Sequence, residues 1–343
     1  MMLGDMGADV LKVERPGTGD ETRGWGPPFD HRGESAYYLS VNRNKLSVAL
    51  DLDDVADVAM LSDLIEHADV VVENFRPGVL ARRGLEPAAL VARLPRLVWC
   101  TIAGFAADAT RPGYDFVVQA ECGWMAITGE PAGSPMKHGI ALADVMAGKD
   151  AAIGVLGALF AREQTGMGGL VEISLSRSTE AALVNVAQNT LVSGNAPRRW
   201  GNAHANLVPY QMFEAADRGI VIAVGSDTQW AVFARALQLG AVADDDRLRT
   251  NAGRLAHRDR VVTAIAARIR ERQAEEWQRI LDAAGVPCGL VRTVPEVLAD
   301  CDASALTGMP PSVPGTIRRP PPLMGEHTDL VRHWGWEAFD REP

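Results

Sequence analysis

Apolar residues along this chain follow two different spacings, which predict helices and strands in alternation. Between residues 54 and 67 they fall three or four positions apart, as on the buried face of a helix. Residues 69–73 contain a continuous apolar run instead, which is typical of a strand covered on both faces of a parallel sheet. A second helix at 87–93 and a second strand at 97–102 follow. This order predicts a βαβ unit with a right-handed crossover.

The same alternation continues through the middle of the chain. Residues 144–163 are rich in Ala, Leu and Gly and predict a helix that ends at the glycines of 166–169. A strand at 171–175 and a helix at 179–192 come next. Successive units of this kind predict an α/β protein whose large domain, residues 1–195, contains a Rossmann-like parallel sheet.

Beyond residue 195 the pattern predicts a smaller α/β domain, residues 196–300. A strand and several helices are expected there between residues 220 and 284. The C-terminal segment, residues 301–343, includes the stretch 310–322, which holds six of the twenty prolines. Because proline fixes its own backbone and lacks an N–H, this stretch predicts an extended segment, and we expect it to return to the large domain.

The first residues of the chain have the pattern of a helix end that leads into a strand. A doubly wound domain normally begins with a strand ahead of that helix. We therefore expect the large domain of this chain to lack its N-terminal strand.

Composition and charge narrow the class of ligand. The net charge of −10 argues against a wide surface for nucleic acid or an anionic membrane, and no apolar run reaches the roughly 20 residues that span a bilayer. The four cysteines are scattered without metal-ligand spacing, and neither a GxGxxG nor a P-loop motif occurs. We expect a cytoplasmic protein with reduced thiols, no metal site, and no nucleic-acid or membrane partner.

Arginines follow three of the predicted strands and suit a ligand that carries phosphates. They are Arg15, then Arg76 with Arg82 and Arg83 behind it, and then Arg111. Ligands bind outside the carboxyl ends of the strands in such sheets, and a guanidinium can donate two parallel hydrogen bonds to a phosphate. Phe75 adds a flat apolar face for an adenine ring. On spacing alone, arginines on surface turns are the more common alternative.

Asp144 is a candidate nucleophile because it stands at the start of an otherwise apolar helix. We expect the helix dipole and free backbone N–H groups to keep its carboxylate ionised, so that it can attack an acyl group. The alternative is a plain helix cap, which is the role of most aspartates at helix starts. From the residues alone the cap is favoured.

Seven stretches, spread from one end of the chain to the other, carry a signal that none of them carries alone. They are Leu3 to Gly17, Asn42 to Asp51, Asp69 to Gly78, Arg111 to Asp115, Ala141 to Val145, Gly285 to Gly289 and Pro320 to Thr328. In this order they resemble the class III CoA-transferases, or CaiB/BaiF family, which includes formyl-CoA and carnitine CoA-transferases and α-methylacyl-CoA racemases. As a set, the stretches are highly specific for that family.

The resemblance implies that Asp144 is the catalytic aspartate of an enzyme that moves CoA between carboxylic acids through an aspartyl anhydride and an aspartyl-CoA thioester. CoA, acyl-CoA and a carboxylate are then substrates, and no cofactor is bound permanently. It also implies an interlocked homodimer, in which each chain passes through a ring formed by the other. The residues that it assigns to the CoA site are Arg15, Leu50, Asp51, Leu52, Asp53, Asn74, Phe75, Arg76, Arg82, Arg111, Pro112, Gly113 and Tyr114.

Tyr114 distinguishes two branches of that family. The racemases carry a histidine at this position, which moves a proton on and off the α-carbon, and a tyrosine with a pKa of roughly 10 is a poor base. The chain is therefore interpreted as a transferase, with a racemase-like enzyme or a catalytically impaired CoA-binding homologue as alternatives. Residues 37–45 and 199–211 most resemble the dicarboxylate branch, typified by succinyl-CoA:glutarate CoA-transferase, which implies succinyl-CoA or another dicarboxylyl-CoA as donor.

Overall fold

The computed structural model describes residues 1–341, which form two compact units. Unit 1 consists of Met1–Trp124, His138–Ala187 and Asp300–Pro343, and unit 2 consists of Met125–Lys137 and Gln188–Ala299. In the described part of the chain, no helix is both long and apolar enough to cross a membrane. Nor do any three His, Cys, Asp or Glu side chains among those residues lie together as possible metal ligands.

Unit 1 is built on parallel strands that fall into two sheets. In the first sheet β1 (Val10–Glu14) pairs with β2 (Lys45–Ala49). The second sheet has the order β3 (Val70–Glu73), β4 (Val98–Ala103) and β5 (Gly169–Ser174). Every pair is parallel, as the βαβ pattern predicted. Within residues 1–341 no ladder joins β1 to β3, so the expected single sheet is divided in two.

Side chains cap several of the helices that connect these strands. Asp54 accepts hydrogen bonds from two backbone N–H groups at the start of α3, and Ser174 caps α8 in the same way. In chain order the helices are α1 (Met2–Asp5), α2 (Ala36–Leu39), α3 (Val55–Glu66), α4 (Pro87–Arg93), α5 (Asp115–Glu121), α6 (Trp124–Ile127), α7 (Leu142–Thr165), α8 (Leu175–Ala181) and α9 (Val184–Ser193).

Two of these helices differ from the sequence-based expectation. Helix α7 begins two residues before Asp144, at Leu142, and ends at Gly166, whose positive φ of 73° lets the chain leave the helix. The single helix predicted at 179–192 is wrong in its continuity. It is split into α8 and α9, and Val184 at the break has a φ of 30°. Apolar spacing continues across the break, so the periodicity gave no sign of it.

Helix α7 lies unusually close to the second sheet. Ala151 and Val155 pack against Val98 and Cys100 of β4 in a buried cluster. A Cβ atom on Gly154 would stand 2.8 Å from the Val171 side chain, so only glycine permits this approach. The close packing holds the first turn of α7 beside the strand ends.

Unit 2 combines an antiparallel sheet with helices, in agreement with the predicted smaller α/β composition. Its strands are β6 (Tyr210–Glu214), β7 (Gly219–Ala223) and β8 (Cys288–Leu290), with β7 in the centre. Its helices are α10 (Asp227–Ala236), α11 (Asn251–Ala256), α12 (Arg258–Ile269), α13 (Ala274–Ala283) and α14 (Val294–Ala299). The core is formed around Ile220, Trp230, Phe233 and Trp277, all of which are almost fully buried.

The proline-rich stretch 310–322 contains neither helix nor strand, as its composition predicted. It is tied to unit 1 by hydrogen bonds, because the Asn44 side chain accepts from the backbone N–H of Arg318 and Arg319 and donates to Thr316 O. Helix α15 (Thr328–Trp334) follows and packs on β2. The end of the chain therefore contributes to the core of unit 1.

Candidate active site

Asp144 lies in the first turn of α7, three residues after Ala141, which precedes the helix. The neighbouring Ala143 and Ala147 are buried against Val118 and Leu175, and they fix this turn in place. As a residue Asp144 is exposed to solvent, although the surrounding protein removes much of the water around its carboxyl group. It is not the helix cap, because no side chain caps the start of α7 by hydrogen bonding to its backbone from the cap position.

A second carboxylate, Asp115, holds this turn from outside. One oxygen of Asp115 accepts a hydrogen bond from the backbone N–H of Ala143 at 2.8 Å, and the other accepts from the amide of Gln119 at 2.7 Å. Gln119 is fully buried and in turn accepts from the backbone N–H of His138 at 2.9 Å. Asp115 therefore joins the start of α5 to the start of α7, directly beside Asp144.

The surroundings of Asp144 raise its pKa to about 6. Burial by the protein around the carboxyl group is the main cause, and the negative charge of Asp115 adds to it. The helix-end N–H groups that were expected to help keep this carboxylate ionised do not reach it. The reason is that Ala143 N–H already donates to Asp115, and Val145 N–H donates to Ala141 O. With a pKa near 6, about nine in ten of these groups are still ionised at pH 7.

Tyr37 belongs to the same neighbourhood. Burial raises the pKa of its hydroxyl, and the charges of Asp144 and Asp115 raise it further. The ring packs edge-on against Trp25, with 5.1 Å between centroids. Tyr37 therefore keeps its proton at neutral pH and can donate a hydrogen bond near the two carboxylates.

The loops that follow β1 and β2 lie side by side. The backbone N–H of Leu50 donates to Glu14 O at 2.9 Å, which brings the 50–53 stretch next to Arg15. Arg15 is exposed and makes no ion pair within residues 1–341. The side chain of Leu50, by contrast, is buried in the core, so only its backbone can face a ligand. Asp51 and Asp53 are exposed.

Arg83 connects the 50–53 stretch to the loop that follows β3. Its guanidinium donates to Leu52 O at 2.7 Å and to Val79 O at 3.0 Å, and it pairs with Asp53. Arg83 is thereby fully engaged in holding the two loops together. Asn74, Phe75, Arg76 and Arg82 of that loop are all exposed. In the described part of the chain neither Arg76 nor Arg82 forms an ion pair, so both remain available to an anion.

The 111–114 stretch lies at the end of the neighbouring strand β4. A Cβ atom on Gly113 would stand 2.4 Å from the Cα of Gly104, so the two backbones touch and neither position admits a side chain. Arg111 donates to Glu121 at 2.6 Å and stacks on Phe105, so its charge is already neutralised. Pro112 and Tyr114 are exposed.

The structure thus brings the predicted residues into two groups within unit 1. The first surrounds the ends of β1, β2 and β3 and offers free guanidinium groups. The second surrounds the end of β4 and the start of α7 and offers a free carboxylate. The sequence-based reasoning missed the roles of Asp115 and Tyr37. Asp115 lies in a recognised stretch, but its contact spans 28 positions, which no local pattern can show.

Comparison with known proteins gives a consistent result. The family model described as "CoA-transferase family III" matches residues 1–310. The chain is 37% identical to "Succinyl-CoA:glutarate CoA-transferase" of Mus musculus, covering 96% of this chain and 80% of the relative. It is 36% identical to "Succinate--glutarate CoA-transferase" of Agrobacterium fabrum, covering 96% and 89%.

Solved structures of similar proteins share this fold. A CAIB/BAIF family protein from Brucella suis superposes with a TM-score of 0.84 at 36% identity, covering 97% of this chain and 93% of that one. A hypothetical protein from Mycobacterium tuberculosis superposes with a TM-score of 0.82 at 27% identity, covering 96% and 92%. Together with the family match and the sequence relatives, these likenesses establish that the chain belongs to the class III CoA-transferases and is a CoA-transferase enzyme.

Proposed function

We propose that this enzyme transfers CoA from succinyl-CoA or another dicarboxylyl-CoA to a carboxylic acid, with Asp144 as the covalent nucleophile. The observation that carries the proposal is the state of the Asp144 carboxylate. It is exposed, it is ionised at neutral pH, and its lone pairs accept no hydrogen bond within residues 1–341. Exposure lets a substrate reach the carboxylate, and an ionised carboxylate with unoccupied lone pairs can attack an acyl carbonyl.

The steps conserve atoms and charge. An Asp144 oxygen attacks the thioester carbonyl and the C–S bond breaks. This step forms a mixed anhydride between Asp144 and the donor acid and releases CoA as the thiolate. The thiolate then attacks the aspartyl carbonyl, which releases the donor acid and forms an aspartyl-CoA thioester. The incoming carboxylate repeats the two steps in reverse and leaves as the new acyl-CoA. No base is required, because the carboxylate already carries the negative charge.

The first group of loops supplies the proposed CoA site. Arg15, Arg76 and Arg82 are exposed cations with no carboxylate partner in the described part of the chain, and they suit the phosphates of CoA. The ring of Phe75 is 47% exposed beside them, which is unusual for phenylalanine and suits stacking on adenine. Arg111 is assigned a structural part in this proposal, since Glu121 already neutralises it. CoA enters as a substrate and is not held permanently.

The dicarboxylate preference is carried by the relatives. The names printed for several of them specify glutarate, D-citramalate or mesaconate as the partner of succinyl-CoA, and all three are dicarboxylates. A turnover assay with succinyl-CoA and a panel of mono- and dicarboxylates, read by mass, tests this. Transfer to monocarboxylates alone would contradict it.

A homodimer is the proposed assembly. Ile153, Leu156 and Phe160 lie on one face of α7 and are exposed, with Phe160 72% exposed. Contiguous apolar surface of this kind is typical of a protein interface. Light scattering of the purified protein should give twice the mass of one chain, and Phe160→Glu should reduce the dimer.

A covalent intermediate on Asp144 is the central test. With acyl-CoA present, hydroxylamine should convert this one side chain to a hydroxamate, visible as a mass shift on the peptide that contains it. If that peptide stays unmodified while transfer proceeds, the mechanism is wrong.

A second experiment separates a transferase from a racemase. A 2-methylacyl-CoA incubated in deuterated water should remain unlabelled at the α-carbon, because Tyr114 is a poor proton shuttle. Rapid exchange would instead indicate a racemase.

A further inference from the structure

Unit 2 contains a concentration of positive charge that the transfer chemistry of unit 1 does not use. Arg198 stacks on Trp200, with 3.8 Å between its guanidinium carbon and the ring centroid. Arg258 approaches the same ring at 4.7 Å. The two cations therefore share one aromatic ring in a chain whose net charge is −10.

The three side chains line two neighbouring cavities within unit 2, both of which are wide open to solvent. The larger has a volume of about 510 Å³ and is also bordered by Ala205, Leu255 and Asp259. The smaller has a volume of about 240 Å³ and shares Arg198, Trp200 and Arg258 with it. A space of this size exceeds what a single inorganic ion needs and is in the range of a small organic ligand.

Neither arginine pairs with a carboxylate within residues 1–341; Arg258 is partly buried and Arg198 is exposed. Arg258 donates to two backbone carbonyls, His204 O at 3.1 Å and Ala205 O at 2.7 Å, and to no carboxylate oxygen within residues 1–341. Arg198 forms no ion pair within the same residues. Asp259 is the single acidic side chain among those that line the cavities, and it is exposed.

Arg198 and Arg258 are two like charges close together, and neither forms an ion pair within residues 1–341. Burial lowers the pKa of Arg258 and the charge of Arg198 lowers it further, while the charge of Asp259 acts in the opposite direction. Since both guanidinium carbons lie against one indole ring, the two charges can be no farther apart than those two stacking distances combined. A ligand that carries two negative charges a few ångströms apart would neutralise both guanidinium groups.

We infer that Arg198, Trp200 and Arg258 form a binding site in unit 2 for a short dicarboxylate. Each guanidinium can bind one carboxylate through its planar fork, and the indole supplies an apolar wall for the methylene chain between them. The inference deepens the proposed function and rests on it for the choice of a dicarboxylate over other small anions. The bonds from Arg258 to the 204–205 backbone keep that arginine oriented before the ligand arrives.

Calorimetric titration of the whole purified protein with glutarate tests the site. Arg198→Gln and Arg258→Gln should each weaken glutarate binding on the order of tenfold to a hundredfold, because each removes a charge-assisted contact. The matched control is Arg249→Gln, which removes an exposed arginine of the same unit that pairs only with Asp246 at the surface. Its affinity for glutarate should equal that of the unmodified protein.

Two further ligands define the chemistry. Butyrate, which has one carboxylate, should bind at least tenfold more weakly than glutarate. Inorganic phosphate should not displace glutarate at equal concentration. If phosphate binds as well as glutarate and competes with it, the site is a general anion site and the dicarboxylate assignment is wrong.

An Asp144→Asn variant separates this inference from the proposed function. Glutarate should still bind it, although transfer is lost. If binding is lost too, glutarate resides with Asp144 and the inference fails.

The arginine variants separate the inference from the proposed function. If transfer proceeds normally but the two arginine variants bind glutarate unchanged, the inference fails and the proposed function stands. If the variants lose glutarate binding in a protein that shows no transfer, the proposed function fails and the site stands. A change of oligomeric state in both variants with unchanged glutarate affinity would assign the arginines to contacts between copies, which also contradicts the inference.

Discussion

Helices α5 and α7 each carry an aspartate in the first turn, and the two carboxylates have opposite surroundings. Asp115 accepts hydrogen bonds from a backbone N–H and a side-chain amide. Asp144 accepts none within residues 1–341, and its pKa is raised to about 6. Residue type and helix position are nearly the same in the two cases. What differs is the number of donors that reach each carboxylate.

The difference shows how one structure divides two tasks between similar groups. Asp115 accepts from the backbone N–H of Ala143, one of the donors at the start of α7, and thereby fixes the turn that carries Asp144. A carboxylate that is saturated with hydrogen bonds is a good anchor and a poor nucleophile. A carboxylate without donors keeps its lone pairs for a substrate, at some cost to the stability of the folded chain.

Replacement of Asp144 should have the largest effect on activity. Asp144→Ala should lower kcat for transfer on the order of 10⁴-fold or more, because no other group supplies the covalent intermediate. The variant should still fold, since the side chain is exposed and caps nothing. Steady-state kinetics together with a circular dichroism melt check both points. Appreciable transfer by the folded variant would mean that the nucleophile lies elsewhere.

Replacement of an arginine in the proposed CoA site should weaken CoA binding without changing the pH dependence of transfer. Arg15→Ala and Arg82→Ala should each bind CoA tenfold to a hundredfold more weakly, the loss expected for one charge-assisted contact of roughly 1.5–3 kcal/mol. Arg93→Ala is the control, because Arg93 is exposed in the same unit and pairs with Glu66. Calorimetry with CoA measures the effect, and the pH dependence of kcat should be unchanged. Equal affinity in all three variants would remove these loops from the CoA site.

Substitution of Asp115 sharpens the comparison between the two carboxylates. In Asp115→Asn the amide oxygen can still accept from Ala143 N–H, while the negative charge beside Asp144 is gone. Since that charge raises the pKa of Asp144, the acid limb of kcat/KM should move from about pH 6 to lower pH. Above pH 8 the rate should stay within about tenfold of the unmodified enzyme, because the contact with Ala143 N–H is retained and only the contact with the donating amide of Gln119 is lost.

Asp115→Ala is the counterpart that removes charge and anchor together. It should lower kcat on the order of a hundredfold at every pH, since a displaced turn misplaces the nucleophile. If the acid limb of the kcat/KM profile does not move in Asp115→Asn, then Asp115 only positions the backbone and its charge does not raise the pKa of Asp144. Full activity in Asp115→Ala would show that the first turn of α7 needs no anchor.

The smallest expected effect is a gain in stability. Asp144 has a folded-state pKa of about 6 against an ordinary value of 3.8, so its ionisation disfavours the folded state. This destabilisation is absent below pH 3.8, grows as pH rises towards 6, and is constant above it. Asp144→Asn should therefore melt at a temperature equal to or slightly above that of the unmodified protein at pH 7.5, with a smaller difference at pH 4. A lower melting temperature at pH 7.5 would contradict the raised pKa.

Much of the fold followed from local pattern. The apolar run at 70–72 and the helical spacing after Asp54 indicated a parallel βαβ unit, and both elements were confirmed within a few residues. The prolines between 310 and 322 indicated an extended stretch, which was also confirmed. These features depend on neighbours in sequence. The break at Val184 does not, because apolar spacing continues through it.

The candidate site was less accessible to sequence-based reasoning. The position of Asp144 near a helix start was predicted, but the Ala143 N–H that was expected to stabilise its charge does not reach it. The cause is a hydrogen bond from Ala143 to a carboxylate 28 positions earlier, and no spacing rule links the two. Arg111 shows the same limit, since its pairing with Glu121 becomes evident only once α5 is folded. The assignment of Arg15 and Arg82 to CoA stays a prediction.

The contact between Gly104 and Gly113 has a consequence for how this protein can change. Together with the stacking of Arg111 on Phe105, it holds both ends of residues 105–112, while 106–110 are exposed to solvent. The entropy of closing a loop grows only slowly with its length, so residues could be gained or lost at 107–110 without moving the start of α5. This loop is therefore a permissive insertion point beside a rigid frame. Evolution and protein engineering could therefore change the length and sequence of this loop while the start of α5, which carries Asp115, stays fixed.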